Sequence, residues 1–60
     1  LLGKVGVVTK DIKKHDDNGR IEVLGQSWKA TSTENLEFNV GDEVRIVSIS
    51  GVTVNVTRVN

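Results

Sequence analysis

Valine sets the terms for this chain. Eleven of its sixty residues are valine and none is proline. Branching at Cβ stiffens χ1 and suits a pleated, half-buried surface, so this bias drives the chain toward strands. No stretch repeats apolar residues at i, i+3, i+4 and i+7 for long enough to make a convincing helix, although no proline stands in the way. Sixty residues make one domain, 1–60, and a domain this small buries only about 60% of the surface its unfolded chain exposes. With no cysteine, neither a disulfide nor a thiolate-bound metal can reinforce it. The aliphatic residues must supply the core.

Glycines and short polar clusters cut the chain into five extended pieces. The first runs from Gly3 to Lys10, with Val5 and Val7 on one face and Val8 on the other. Gly3 and Gly6 inside it predict a bulge or sharp bend. Asp11 to Asn18 is the most polar stretch and reads as a solvated loop, ending in Asn18-Gly19, which fits a type I′ hairpin turn. Arg20 to Leu24 is the second strand, with Ile21 and Val23 pointing inward. Gly25-Gln26 turns the chain into a third strand, Ser27 to Ser32, where Trp28 and Ala30 face the core and Lys29 and Thr31 face out. Thr31 and Glu34 have the spacing of a capping box, enough for one helical turn at most. Leu36, Phe38 and Val40 then alternate with polar residues up to Gly41-Asp42. In the fourth strand, Glu43 to Ile49, Val44 and Ile46 share a face while Val47 and Ile49 share the other. Either a bulge switches faces or both faces are buried. After a turn at Ser50-Gly51, the last strand runs from Val52 to Val59, with Val52, Val54 and Val56 in and Thr53, Asn55 and Thr57 out.

Five short strands, each with one apolar face and bends at glycine, predict an all-β fold: a small five-stranded barrel, closed or partly open, of the OB type. An SH3-like barrel is the rival at this length. Closure removes the edges that invite aggregation.

The chemical inventory is thin. His15 is the only histidine and lies in the polar loop, where it reads as solvated. One histidine without cysteine gives too few of the usual zinc ligands. Asp16-Asp17-Asn18-Gly19 resembles part of a calcium loop, but with Gly19 as sixth residue the first ligand position falls on Lys14. No serine has a paired histidine in any hydrolase pattern. No catalytic residue, metal site or cofactor is expected. Eight acidic residues balance eight basic ones, which argues against the net positive field a nucleic-acid or anionic-membrane partner usually needs. Of the two aromatics, Trp28 and Phe38 both fall on core faces, so the stacking platform of a single-strand binder is missing. A nucleic-acid-binding barrel remains the alternative, and it requires Lys4, Lys29, Arg45 and Arg58 on one face.

The ordered pieces Gly3-Lys4-Val5-Gly6-Val7-Val8, Gly19-Arg20-Ile21-Glu22-Val23, Gly25-Gln26-Ser27-Trp28-Lys29-Ala30, Val40-Gly41-Asp42-Glu43-Val44-Arg45-Ile46-Val47 and Gly51-Val52-Thr53-Val54-Asn55-Val56 span almost the whole chain. Together they resemble the C-terminal soluble domain of NfeD-like membrane proteins. G-x-x-W-x-A at the centre is the most specific element. Family members often carry a proline shortly before the middle glycine, where this chain has Asp16-Asp17-Asn18. The resemblance implies an OB barrel without a nucleic-acid surface, with Gly3, Gly6, Gly19, Gly25, Trp28, Ala30, Gly41, Val44, Gly51 and Val54 as structural positions. It also implies transmembrane helices before Leu1 in a longer protein of the cell membrane, with this domain on the cytoplasmic side. That agrees with a chain opening on Leu1-Leu2 rather than methionine. The implied partners are stomatin-, prohibitin- or flotillin-type membrane scaffolds, with self-association as a further expectation. Strand phase offers Lys29, Thr31, Arg45, Thr53 and Asn55 as contact residues, joined by Lys13, Lys14 and His15 from the first loop.

Overall fold

The computed structural model describes residues 2–13, 18–32 and 36–59. Five strands form in chain order: β1 (Val5–Lys10), β2 (Arg20–Val23), β3 (Gln26–Ser32), β4 (Glu43–Ser50) and β5 (Thr53–Arg58). They close into a barrel in the order β1-β2-β3-β5-β4. Every neighbouring pair is antiparallel except β3 and β5, which run parallel with Ala30 opposite Val54 and Thr31 opposite Asn55. Antiparallel pairing of β1 with β4, Val5 opposite Arg45, shuts the barrel. This is the five-stranded Greek-key arrangement of the OB fold, and the SH3-like alternative falls away.

Alternation along the strands fills the interior. Val8, Ile21, Val23, Ala30, Val44, Ile46, Val54 and Val56 are all buried, and Trp28 and Leu36 pack against them. The conflict in the fourth strand is resolved by a bulge. Pairing of β4 with β5 slips between Ile46 and Ser48, so Ile46 lies opposite Val56 and Ile49 opposite Val54. The extra residue, Val47, is left on the outside, and the added twist helps the strand wrap around the barrel. A second slip lies in β1 between Val8 and Lys10. It is this position, and not Gly6, that carries the bulge expected in the first strand, while Gly3 takes a φ of 80° in a turn just before β1.

Two glycines are required by close approach. A Cβ at Gly6 would stand 2.5 Å from Cγ2 of Val23 and 3.0 Å from the carbonyl oxygen of Glu22, so β1 and β2 can approach only where β1 has no side chain. Gly19 is the second, and here the sequence reading is corrected. Neither Asn18 nor Gly19 has positive φ, as a type I′ turn would demand. Gly19 is instead buried and extends the β2–β3 ladder, its carbonyl accepting from the Ala30 amide at 2.9 Å. A Cβ there would lie 2.6 Å from Cγ1 of Ile12.

Ile12 is the largest departure from the sequence reading. Assigned to a solvated loop, it is 0% exposed. Its backbone exchanges two hydrogen bonds with Phe38, each 2.9 Å, and both side chains join the core. This isolated bridge closes one end of the barrel. Val40, expected inward with Phe38, is exposed, as is Val52. Both hairpin turns lie one residue from where the sequence placed them. The turns are Leu24-Gly25 and Gly51-Val52, closed by the pairs Val23–Gln26 and Ser50–Thr53. The capping box at Thr31 and Glu34 reaches outside the described residues.

Candidate functional site

A barrel whose interior is filled by aliphatic side chains has to act through its surface. Among the described residues no polar or charged side chain is buried in the core, and no three metal-binding side chains gather. The expected contact residues divide between different regions. Thr31 and Asn55 meet on the parallel seam, where the Thr31 hydroxyl donates to Asn55 Oδ1 at 2.6 Å and Asn55 Nδ2 donates to Ser48 Oγ at 2.7 Å. These half-buried side chains tie β3, β5 and β4 together. Lys29 lies on the same seam opposite Thr53. Arg45 is exposed on β4, across the barrel wall opposite Val5. Lys13 is exposed near Asp11, with a loose 3.9 Å ion pair, and Lys14 and His15 lie outside the described residues.

The cations that a nucleic-acid groove requires are not gathered. Lys4 and Arg45 belong to the β1–β4 wall and Lys29 to the β3–β5 seam. Arg58 lines a separate depression shared with the carboxylates of Asp42 and Glu43.

Two apolar features escaped the sequence reading. The first is the outer face of β1. Gly6 and Val8 occupy the inward positions, which sends Val5 and Val7 outward, flanked by Arg45 and Glu43 of β4 and by Glu22 of β2. Exposed Val47 extends this patch along β4. The second is the pair of hairpin tips. Strand directions place both turns at the same rim of the barrel: β2 and β4 end there, and β1, β3 and β5 begin there. Leu24 and Val52 sit on these tips, 76% and 75% exposed.

Leu24 holds an unfavourable backbone. Its φ is 53° and that of Gly25 is 80°, the pattern of a type I′ turn, which prefers Asn-Gly. A left-handed leucine costs about 1–2 kcal/mol, whereas asparagine visits this region readily. Leu24→Asn should therefore raise stability by about 1 kcal/mol and the melting temperature by about 4–8 °C. Thermal melts followed by circular dichroism will measure this, and an unchanged or lower midpoint refutes it. Gly51 takes the positive φ of 62° in the second turn, which gives a type II′ geometry with glycine at its first central position.

Beside the Val52 tip lies a groove of about 510 Å³ lined by Arg20, Gln26, Ser27, Trp28, Lys29 and Val52. It exists because β3 begins before its partner: pairing with β5 starts at Lys29–Thr53, leaving Gln26 to Trp28 bonded to β2 alone. Arg20 Nε donates to Ser27 Oγ at 2.9 Å. Trp28 is half-buried against the core, and its Nε1 is buried with no hydrogen-bond partner among the described residues.

Topology and filled core define an OB-type domain with its working features on the outside. Residues 1–58 match the model of the NfeD-like C-terminal, partner-binding domain, and the chain belongs to that family. It is similar to the membrane-bound protease PH1510 of Pyrococcus horikoshii, with 34% identity over 58 residues, covering 97% of this chain but only 12% of that protein. Two solved structures share the fold. One is the soluble domain of a Corynebacterium glutamicum membrane protein implicated in regulation of membrane protease activity, at 27% identity and TM-score 0.88, covering 97% of this chain and 90% of that one. The other is the C-terminal domain of stomatin operon partner protein 1510-C from P. horikoshii, at 34% identity and TM-score 0.84, covering 98% and 88%.

Proposed function

We infer that this barrel is a non-catalytic docking module of a longer, membrane-anchored protein and that it engages a stomatin-, prohibitin- or flotillin-type scaffold from the cytoplasmic side. The observation that carries this reading is the match of 58 residues to a partner-binding family, on a barrel whose interior is closed to ligands. The stomatin operon partner among its structural relatives supplies the kind of partner.

The contact is best served by the outer face of β1 and β4. Val5, Val7 and Val47 offer apolar area, and Arg45 beside Glu43 offers the charges that fix register and discriminate partners. The same face would serve self-association. Thr31 and Asn55, committed to each other and to Ser48, contribute less. The test is a photo-crosslinking amino acid placed at position 45 or 55 of the full protein in native membranes. Crosslinks from position 45 to a stomatin-family protein are expected, with few from position 55. Equal labelling from both positions rejects the assigned face, and absence of any such scaffold from either rejects the partner class.

A further inference from the structure

One residue of β3 has its main chain turned away from every strand. The Ala30 amide bonds to the Gly19 carbonyl across the β2–β3 ladder. Bonded and non-bonded pairs alternate along an antiparallel ladder. Trp28, opposite Ile21, and Gln26, opposite Val23, therefore also turn their N–H and C=O groups to β2, while Ser27 and Lys29 turn theirs the other way. Lys29 meets β5 there, opposite Thr53. Ser27 comes before that pairing starts, and its N–H and C=O have no partner among the described residues. They are turned toward the groove beside Val52, which Ser27 helps to line. An unpaired edge of this kind is a template for a strand from another chain.

The side chains over the edge define what that strand must carry. Arg20 stands opposite Lys29, two cations side by side on the outer face of β2 and β3. Like charges placed so are destabilising. Both line the groove, and no carboxylate does. Glu22 shares the outer face of β2, but it makes no ion pair with Arg20. Arg20 instead reaches across to β3, its Nε donating to Ser27 Oγ at 2.9 Å. That bond holds the guanidinium at Ser27 and leaves its two terminal nitrogens without a partner among the described residues. A guanidinium fixed through Nε presents a flat fork of N–H donors that fits a carboxylate through two parallel bonds.

We propose that this groove takes an extended acidic peptide segment of a partner protein as an added strand on β3, its main chain on the N–H and C=O of Ser27 and a glutamate or aspartate on Arg20. Residues paired across neighbouring strands show their side chains on the same face. The residue opposite Ser27 therefore carries the carboxylate, on the Arg20 side. Its neighbours point to the other face, where Trp28 lies, and are apolar. The recognised pattern is apolar–acidic–apolar. Ser27 is a positioning residue twice over: its hydroxyl holds the guanidinium and its main chain sets the register. The groove lies away from the β1–β4 face assigned to the scaffold, so this contact goes beyond that reading.

The experiment follows the amides of the isotope-labelled sixty-residue chain by NMR during titration with a capped peptide, Thr-Val-Glu-Val-Thr, at millimolar concentration. The Ser27 amide should move most, with Trp28, Lys29 and Val52 following, while Val5, Val7 and Arg45 stay in place. The same peptide with glutamine for glutamate should bind about tenfold more weakly. Arg20→Gln should abolish this preference, Ser27→Ala should reduce it, and Arg20→Lys should keep only part of it. The spectra of these surface variants show directly that they are folded. An unmoved Ser27 amide overturns the proposal. So does equal binding of the two peptides by the parent chain, or a preference that survives Arg20→Gln. Titration with a short oligothymidylate tests the other polyanion: larger shifts of the same amides than the peptide gives would assign the groove to nucleic acid and overturn it too. Crosslinking at position 45 reports the scaffold contact independently, so either idea can fail alone.

Discussion

Replacing Gly19 by valine should leave most molecules unfolded at room temperature. The Cβ would lie 2.6 Å from Cγ1 of Ile12, 3.0 Å from the carbonyl oxygen of Ala30 and 3.1 Å from the Ile12 backbone. Only the first of these atoms can move cheaply, and Ile12 is itself enclosed. Overpacking of this kind costs about 1–3 kcal/mol when neighbours can shift, and more when they are backbone. A sixty-residue domain has about 3–9 kcal/mol in total. Gly19→Ala should be folded but weakened, and Gly25→Ala should cost less than the valine change at position 19, since the space around Gly25 is open and only its φ of 80° is at issue. Urea unfolding monitored by Trp28 fluorescence gives all three values. A valine variant with the parent's midpoint would show that the β2 entry and the Ile12 segment are further apart than described.

The second large effect is expected at Ile12. Truncation to alanine removes a fully enclosed side chain from the end of the barrel, and such changes cost about 2–5 kcal/mol. Against a total of about 3–9 kcal/mol that is a large share of the whole. The reason lies in the bridge: the two Ile12–Phe38 backbone bonds hold the connection before β4 against the connection after β1. Without the side chain, Phe38 loses its neighbour. Hydrogen exchange should show the Ile12 and Phe38 amides opening well ahead of those in β4 and β5. If Ile12→Ala shifts the urea midpoint no more than a surface substitution does, the barrel does not depend on this plug.

These two sites also mark the boundary of what the sequence made legible. Strand positions followed from alternation because each wall has one wet side: Ile21 and Val23, and Val54 and Val56, were assigned correctly to the interior, while for Val44 and Ile46 alternation gave only a shared face. The two apolar pairs of the fourth strand left a bulge and burial on both faces open, and only its pairing with β5 decides for the bulge at Val47. Ile12 was not legible, because a single isoleucine among lysines and aspartates has no periodicity to report, and its burial depends on a partner 26 residues away. Gly19 was misread because Asn-Gly is a strong local turn signal, overruled here by a long-range packing need. Gly25 and Gly51 were right as turn residues, yet the turns slid by one and pushed Val52 out of the core. The proposed contact residues were legible only as outward positions. Phase cannot reveal that Thr31 and Asn55 are engaged with each other, nor that β1 turns Val5 and Val7 to the outside because Gly6 takes the inward slot.

The parallel seam between β3 and β5 has a kinetic corollary. The β2–β3 and β4–β5 hairpins zip up from two-residue turns, needing few ordered residues to begin. The seam joins positions 24 residues apart, and the β1–β4 closure spans still more of the chain. Loop-closure entropy is lost before such contacts form, so the rate-limiting event is the meeting of two preformed hairpins rather than the making of either. A ribosome-bound chain that has not yet exposed β5 can therefore hold a ribbon but not a barrel.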